Sequence, residues 1–94
     1  CQGCHKLMDP LGLGFEGFDH YGRLRATEAG RPVDRSGALT GTDQDGPFDG
    51  LEGLTAKLAA SRTVKECFAR HTMHFLFGRE PNAGDACSAV EAAR

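Results

Sequence analysis

The chain has no tryptophan, one tyrosine and two methionines among its 94 residues, and only 39% of it is hydrophobic. Few large side chains are therefore available to offset a backbone ordering cost of about 1–2 kcal/mol per residue. A chain of this length buries only about two-thirds of the surface that its unfolded form exposes, so its core is thin. No stretch comes near the roughly 18 apolar residues of a membrane span. No polybasic segment occurs either. With 11 basic and 13 acidic residues the formal charge is −2 and the isoelectric point lies near 6.1. That balance removes the electrostatic case for nucleic acid or for an anionic membrane surface as partner. Internal repeats, low-complexity tracts and a signal peptide are also missing.

What the chain does have is thirteen glycines and four cysteines, two of which open it as Cys1-Gln2-Gly3-Cys4-His5. C-x-x-C-H reads as a c-type haem attachment site. Cys1 and Cys4, one helical turn apart, can add their thiols to the two vinyl groups of one haem, and His5 can bring its imidazole to the iron as an axial ligand. A bare C-x-x-C would be ambiguous. The adjacent histidine narrows it, because a dithiol redox pair needs no imidazole there and a zinc site rarely takes adjacent Cys and His as ligands of one metal. A covalently held, largely apolar haem would also supply the core that the composition lacks. Haem attached in this way is attached outside the cytoplasm and requires an export signal. Cys1 is therefore read as the start of a processed or partly observed chain of an exported protein, periplasmic or extracellular.

Cys1 to Lys6 is expected as a helical turn that stops early, because Pro10 disfavours helix at Asp9. Met8 to Gly14 then alternates apolar residues with glycines. Such a path suits backbone lying close against a flat ligand, with Met8, Pro10 and Leu11 beside it; an ordinary turn is the alternative. The carbonyl of Pro10 or Leu11 is a candidate acceptor for the second ring nitrogen of His5. Phe15, Phe18 and Tyr21 recur at helical spacing, predicting a short amphipathic helix that ends at Gly22, its aromatics either walling a haem or forming plain core. His20, next to Asp19, reads as a surface group. Arg23 and Arg25 are candidates to meet haem propionates bidentately, or are solvated charges.

Turn residues dominate between Arg23 and Asp49. Residues 25–27 and 37–40 are expected to pair as two short strands around 28–32, a small hairpin at most. Asp49 is placed to cap a helix carrying Leu51, Leu54 and Leu58 and stopping near Ser61. Thr63 and Glu66 have the form of a capping box for a second helix that closes at Phe77, with Gly78 suited to a left-handed end. Asn82 or Asp85 would cap a last short helix through Glu91. The expected architecture is mainly α: one domain over 1–94, helical and cytochrome c-like around one haem, with a short β-hairpin and long Gly-rich loops. Residues 1–25 form its haem-attachment segment and 33–94 its helical C-terminal segment.

The run C-x-x-C-H-x-x-M-D-P-L-G-x-x-x-E-x-F-D-x-x-G-x-x-R over residues 1–25 resembles the cytochrome-like domain at the carboxyl end of large planctomycete and myxobacterial proteins. That family is the planctomycete cytochrome C family with domains DUF1588 and DUF1585. Residues 1–25 resemble the end of the first domain. From Val33 onward the chain is similar to the second, through Val33-Asp34-Arg35-Ser36-Gly37, Gly46-Pro47-Phe48-Asp49-Gly50 and Phe75-Leu76-Phe77-Gly78-Arg79, where the family usually has Y-A-L-G-R. The resemblance implies an exported module with one covalent haem c, part of a larger chain or complex.

The helix over Val64 to Phe77 contains His71, Met73 and His74, which point in different directions at about 100° per residue. In the family the positions of the two histidines are usually polar and that of Met73 usually Leu or Phe. The resemblance thus implies that the histidines face water and Met73 faces the haem as candidate axial ligand, or that a His shortly before the first Cys of relatives takes that place. Cys67 and Cys87, both matched by Cys in myxobacterial relatives, read as a disulfide in an oxidising compartment, worth about 3 kcal/mol in the chain-entropy model. A zinc site of Cys1, Cys4, Cys67 and Cys87 is the competing picture and leaves His5 unexplained. Two functions compete: single-electron transfer to a redox partner protein or neighbouring haem module, and an enzyme with an open distal side, peroxidase-like. A structural haem domain is the third.

Overall fold

The computed structural model describes residues 2–93. Cys1, expected as a thioether donor, lies outside the described residues. The chain begins with α1 (Gln2–Gly12) and a 3-10 turn (Leu13–Phe15), and crosses a loop to two antiparallel pairs. The first pair is β1 (Thr27–Glu28) with β2 (Arg31–Pro32), and the second β3 (Ser36–Leu39) with β4 (Gly46–Asp49). Then come α2 (Gly50–Ala60), α3 (Arg62–Phe77), a second 3-10 turn (Ala83–Asp85) and α4 (Ala86–Ala92). The fold is mainly α, as expected.

Its N-terminal part differs from the expectation in three places. First, α1 does not stop before Pro10 but runs through it to Gly12. The proline costs the helix one backbone hydrogen bond, and tertiary packing against β3 and the 3-10 turn outweighs that loss. The contact is so close that a Cβ on Gly37 of β3 would lie 2.0 Å from the Pro10 carbonyl oxygen. Second, Phe15 to Tyr21 is not a helix. Asp19 accepts from the backbone N–H groups of Tyr21 (2.8 Å) and Arg23 (2.9 Å), and Phe18 bridges to Leu24. A short acidic side chain that captures nearby amides competes with the helix for them, and Gly22 closes the turn at φ 77°. Third, the expected pairing of 25–27 with 37–40 is replaced by two local hairpins. Ala29 and Gly30, with φ of 47° and 76°, give the tight reversal that a two-residue hairpin loop demands.

In the larger hairpin Ser36 faces Asp49, Gly37 faces Phe48, Ala38 faces Pro47 and Leu39 faces Gly46. The V-D-R-S-G and G-P-F-D-G stretches meet in it where Ser36 pairs with Asp49 and Gly37 with Phe48. Asp34 accepts from the Ser36 amide (2.9 Å) and hydroxyl (2.5 Å), while Arg35 reaches Asp49 at 2.8 Å. Asp49 does precede α2, but its carboxylate serves Arg35 and makes no cap hydrogen bond. Phe48 is buried among glycines: Gly14 of the 3-10 turn and Gly37 of β3 leave room for its ring, and Gly53 of α2 for its Cβ and backbone. Leu39, Leu54, Ala69, Met73 and Ala89 complete the buried apolar set.

α2 ends at Ser61 as expected, and α3 starts there rather than at Thr63. Ser61 is fully buried and its hydroxyl accepts from the Val64 amide (3.1 Å) while donating to the Asp43 carboxylate. Asp43 also accepts from the amides of Arg62 (3.0 Å) and Thr63 (3.2 Å), so a loop residue 18 positions upstream of Ser61 completes the cap. Glu66 is not part of a capping box; it accepts from Arg62 at 2.6 Å. The α3 end is as predicted, with Gly78 left-handed (φ 63°). Asn82 and Asp85 share the next cap: Asn82 accepts from Gly84 and Asp85 from the Asn82 amide, both at 2.8 Å. Arg79 then forks onto both Asp85 oxygens at 2.7 and 3.1 Å.

The molecule is elongated, 55 × 28 × 24 Å, with a radius of gyration of 16.5 Å against about 12 Å for a compact chain of this length. α1, the 3-10 turn, β3, β4 and α2 form one layer of contacts; α3 packs on α2 and α4. Much apolar surface stays outside, including Phe68, Phe75 and Leu76 of α3.

Gly37→Ala should loosen α1 from the hairpin, because its methyl would meet the Pro10 oxygen and the Phe48 ring at 2.0 and 2.3 Å. The expected cost is at the upper end of the roughly 1–3 kcal/mol of overpacking, read as a lower midpoint in denaturant; an unchanged midpoint contradicts this packing. A second expectation concerns pH. The Ser61 hydroxyl, then the Arg62 amide, hold the Asp43 carboxyl well below the usual carboxylate range. Its folded pKa is thus below its unfolded value of about 3.9, so its contribution is complete above that value and is lost as pH falls through and below it. Thermal melts followed by circular dichroism from pH 7 to pH 2 should fall below about pH 4, and Asp43→Asn should flatten part of that fall. Parallel profiles for the two proteins would count against the cap.

Candidate functional site

α1 carries the C-x-x-C-H sequence at its start, and all its residues from Gln2 to Asp9 are exposed. Cys4, Leu7, Met8 and Leu11 stand at i, i+3, i+4 and i+7, a spacing that puts them on one face of a helix. That face is apolar and largely bare: Leu7 is 68% and Met8 58% exposed, and Cys4 is an exposed free thiol. Leu11, with Pro10 next to it, is half-buried where the helix meets β3. Phe15, just beyond, is 54% exposed. The adjoining strip of the helix holds His5 and Asp9, whose Nδ1 and Oδ1 atoms are 3.1 Å apart. The acceptor expected for His5 was the carbonyl of Pro10 or Leu11. The Asp9 carboxylate takes that place, because the Pro10 carbonyl abuts Gly37.

The remaining candidates are dispersed. Phe18 is half-buried in its bridge with Leu24. The Arg23 guanidinium lies 5.3 Å from the centroid of the Tyr21 ring, and the His20 ring packs against the same tyrosine, centroids 4.0 Å apart. Arg25 is committed within the protein: it donates to the Glu16 carbonyl (2.9 Å), the Glu16 carboxylate (2.7 Å) and Glu28 (2.6 Å). It ties the turn to the first hairpin.

On α3 the three candidates are placed differently. Met73 is buried with Ala69 on the inner face, His71 is exposed, and His74 is half-buried with its Nδ1 3.3 Å from Glu80. The main packing partners of α3 are α4 and α2, whereas those of α1 are β3 and the 3-10 turn. Met73 and His5 therefore belong to different layers of the molecule. Cys67 on α3 and Cys87 on α4 are both free and exposed; the expected bond is not formed here, although the two helices pack together. No cluster of three or more metal-ligating side chains occurs among the described residues, and no helix among them is long and apolar enough to cross a membrane. Asp9 escaped sequence reasoning; its spacing of four from His5 on a helix was the available signal.

The arrangement, a helix with Cys4 and His5 laid on a hairpin and helix of the following segment, joins two family segments. The family described as protein of unknown function DUF1585 matches residues 44–94, more than half of the chain, and that described as protein of unknown function DUF1588 matches residues 1–28. The chain belongs to the DUF1585 family, with a DUF1588 segment before it; both are planctomycete cytochrome-associated families. No curated protein and no solved structure matches it.

Proposed function

We propose that this chain is a c-type cytochrome module: it holds one covalent haem c through Cys1 and Cys4 and passes single electrons to a redox partner protein or a neighbouring haem module. The observation that carries the reading is the bare stripe of α1, where exposed Leu7 and Met8 continue from Cys4 alongside His5. Burying such a side chain is worth about 1.5–3 kcal/mol, so a ligand that covers the stripe beside the Cys4 thiol gains from each of them. A flat apolar macrocycle tethered at Cys4 is such a ligand. Bound there, the group would supply one-electron exchange at its iron.

The part of the chain's own residues is to hold and orient. Cys1 and Cys4 fix the macrocycle, His5 offers its Nε2 to the iron, and Met8, Leu11 and Phe15 give the apolar flank. Arg23, whose guanidinium lies over Tyr21, is a weaker candidate for the propionates. The two family segments act as a single domain over 1–94, because α1 and its 3-10 turn dock on the hairpin and α2. Attachment outside the cytoplasm makes the module exported, periplasmic or extracellular. In that compartment Cys67 and Cys87, on helices that pack together, are the pair available for a disulfide. An open distal side, as a peroxidase-like enzyme requires, would give a high-spin visible spectrum in place of a low-spin one.

If the thioethers form, denatured protein retains its colour through acid-acetone extraction, and its mass exceeds that of the polypeptide by one haem; full extraction of the colour sinks the proposal. His5→Ala should leave a coloured but spectrally altered and poorly folded product.

Met73 is the candidate within this chain for the second axial position. Its thioether lies in a dry setting, and it reaches iron only if the inner face of α3 turns toward α1. Met73→Leu conserves volume and should cost less than about 1.5 kcal/mol, while removing the weak far-red sulfur-to-iron band of the oxidised protein. A low-spin protein without that band before substitution excludes Met73 and points to a histidine from outside residues 1–94.

A further inference from the structure

We propose that Asp9 is the positioning residue of His5: its carboxylate accepts a hydrogen bond from the Nδ1–H, holds the imidazole in the tautomer whose Nε2 lone pair is free, and makes the ring a stronger donor to iron. The proposal rests on the haem reading of His5 and adds to it the group that sets the ligand's basicity. His5 Nδ1 and Asp9 Oδ1 are 3.1 Å apart, one turn apart on α1. An ionised carboxylate can only accept, so the shared proton belongs to the ring nitrogen and Nε2 is left without one. A histidine that binds a metal through one nitrogen commonly gives the other N–H to a carboxylate, a backbone carbonyl or water. Here the choice between carboxylate and carbonyl is made by packing. The Pro10 carbonyl is held against Gly37, where even a methyl group would not fit, and so it is not turned toward the imidazole.

The consequence is electronic. A charged acceptor draws the Nδ1 proton more strongly than a neutral one, which gives the ring more anionic character and favours the oxidised iron. Asp9 therefore lowers the reduction potential of the module relative to a carbonyl-supported histidine. It also lies at the margin of the bare stripe rather than on it, so it can support the ring without occupying the surface that the macrocycle would cover.

The test uses the haem-loaded chain, unsubstituted and as Asp9→Asn and Asp9→Ala, with two readouts. The first is hydrogen exchange at the His5 ring N–H in the reduced protein by proton–nitrogen NMR; the second is the midpoint potential by spectroelectrochemistry. Exchange should be slowest in the unsubstituted protein, faster in Asp9→Asn, and fastest in Asp9→Ala. The potential should rise in the same order. For Asp9→Ala the one-electron equilibrium should move about tenfold toward the reduced form, about 59 mV. Equal potential shifts in both variants with unmoved ring exchange would mean that Asp9 acts only as a distant charge, and would overturn the proposal. So would two variants that match the unsubstituted protein. Asp9→Asn, which is isosteric, decides the matter alone if Asp9→Ala does not fold. Failure of the haem reading is separately visible, as an unsubstituted protein with the mass of the bare polypeptide, and overturns the proposal with it.

Discussion

The burial of Phe48 among Gly14, Gly37 and Gly53 is the contact on which the rest of the structure depends. It joins the 3-10 turn after α1, the strand β3 and the helix α2 at one point, and so brings the C-x-x-C-H helix to the second family segment. Each of the three glycines is there for space rather than for backbone freedom. A side chain at Gly14 would press on the ring, one at Gly53 on the Phe48 Cβ, and one at Gly37 would strike both the ring and the Pro10 carbonyl. With so few large residues in the chain, one well-enclosed phenylalanine does work that several leucines would share in a larger core.

Elsewhere the loops are held by carboxylates. Asp19, Asp34, Asp43, Asp45 and Asp85 each accept backbone amides, and Asp45 binds those of Gly41 and Thr42 at 3.0 and 2.7 Å. Hydrogen bonding to the ionised form holds the carboxyls of Asp34, Asp43, Asp45 and Asp85 below their ordinary range. The acidic residues that dominate the charge balance are thus largely structural, which is how a chain with long turns keeps its shape around a thin core. Arg35 and Arg79 serve in the same way. One clamps Asp49 at the foot of α2, and the other clamps Asp85 at the start of α4. Neither is a ligand-binding group in this structure.

The division between the bare face of α1 and the filled interior of α2, α3 and α4 bears on the haem proposal. Met73 and Ala69 help to fill that interior, whereas Cys4, Leu7 and Met8 remain at the surface. The two axial candidates for iron consequently differ in kind. His5 is already presented beside a free apolar stripe, while Met73 must exchange a packed position for a bond to metal.

Local chemistry was legible in the sequence wherever a residue acts on its chain neighbours. The C-x-x-C-H stretch at the head of a helix, the leucine stripe of α2, the left-handed Gly78 and the shared cap of Asn82 and Asp85 all follow from spacing within a few residues. What failed was settled either by a partner far along the chain or by a local turn that outcompeted the expected element. Pro10 does not end α1, because β3 supports the helix beyond it. Phe15 to Tyr21 makes no helix, because Asp19 and the Leu24 bridge claim that segment. The strands pair locally instead of 25–27 with 37–40, and α3 is capped by Ser61 with Asp43 from a distant loop. Asp9 faces His5 because the unbroken α1 sets them one turn apart, a spacing present in the sequence. Sequence by itself determined the chemistry of the site, because thiols, imidazole, carboxylate and apolar side chains one turn apart need only a helix. Tertiary structure alone decided that this helix continues past Pro10 and which apolar faces stay bare, because burial is a property of neighbours that the order of residues does not name.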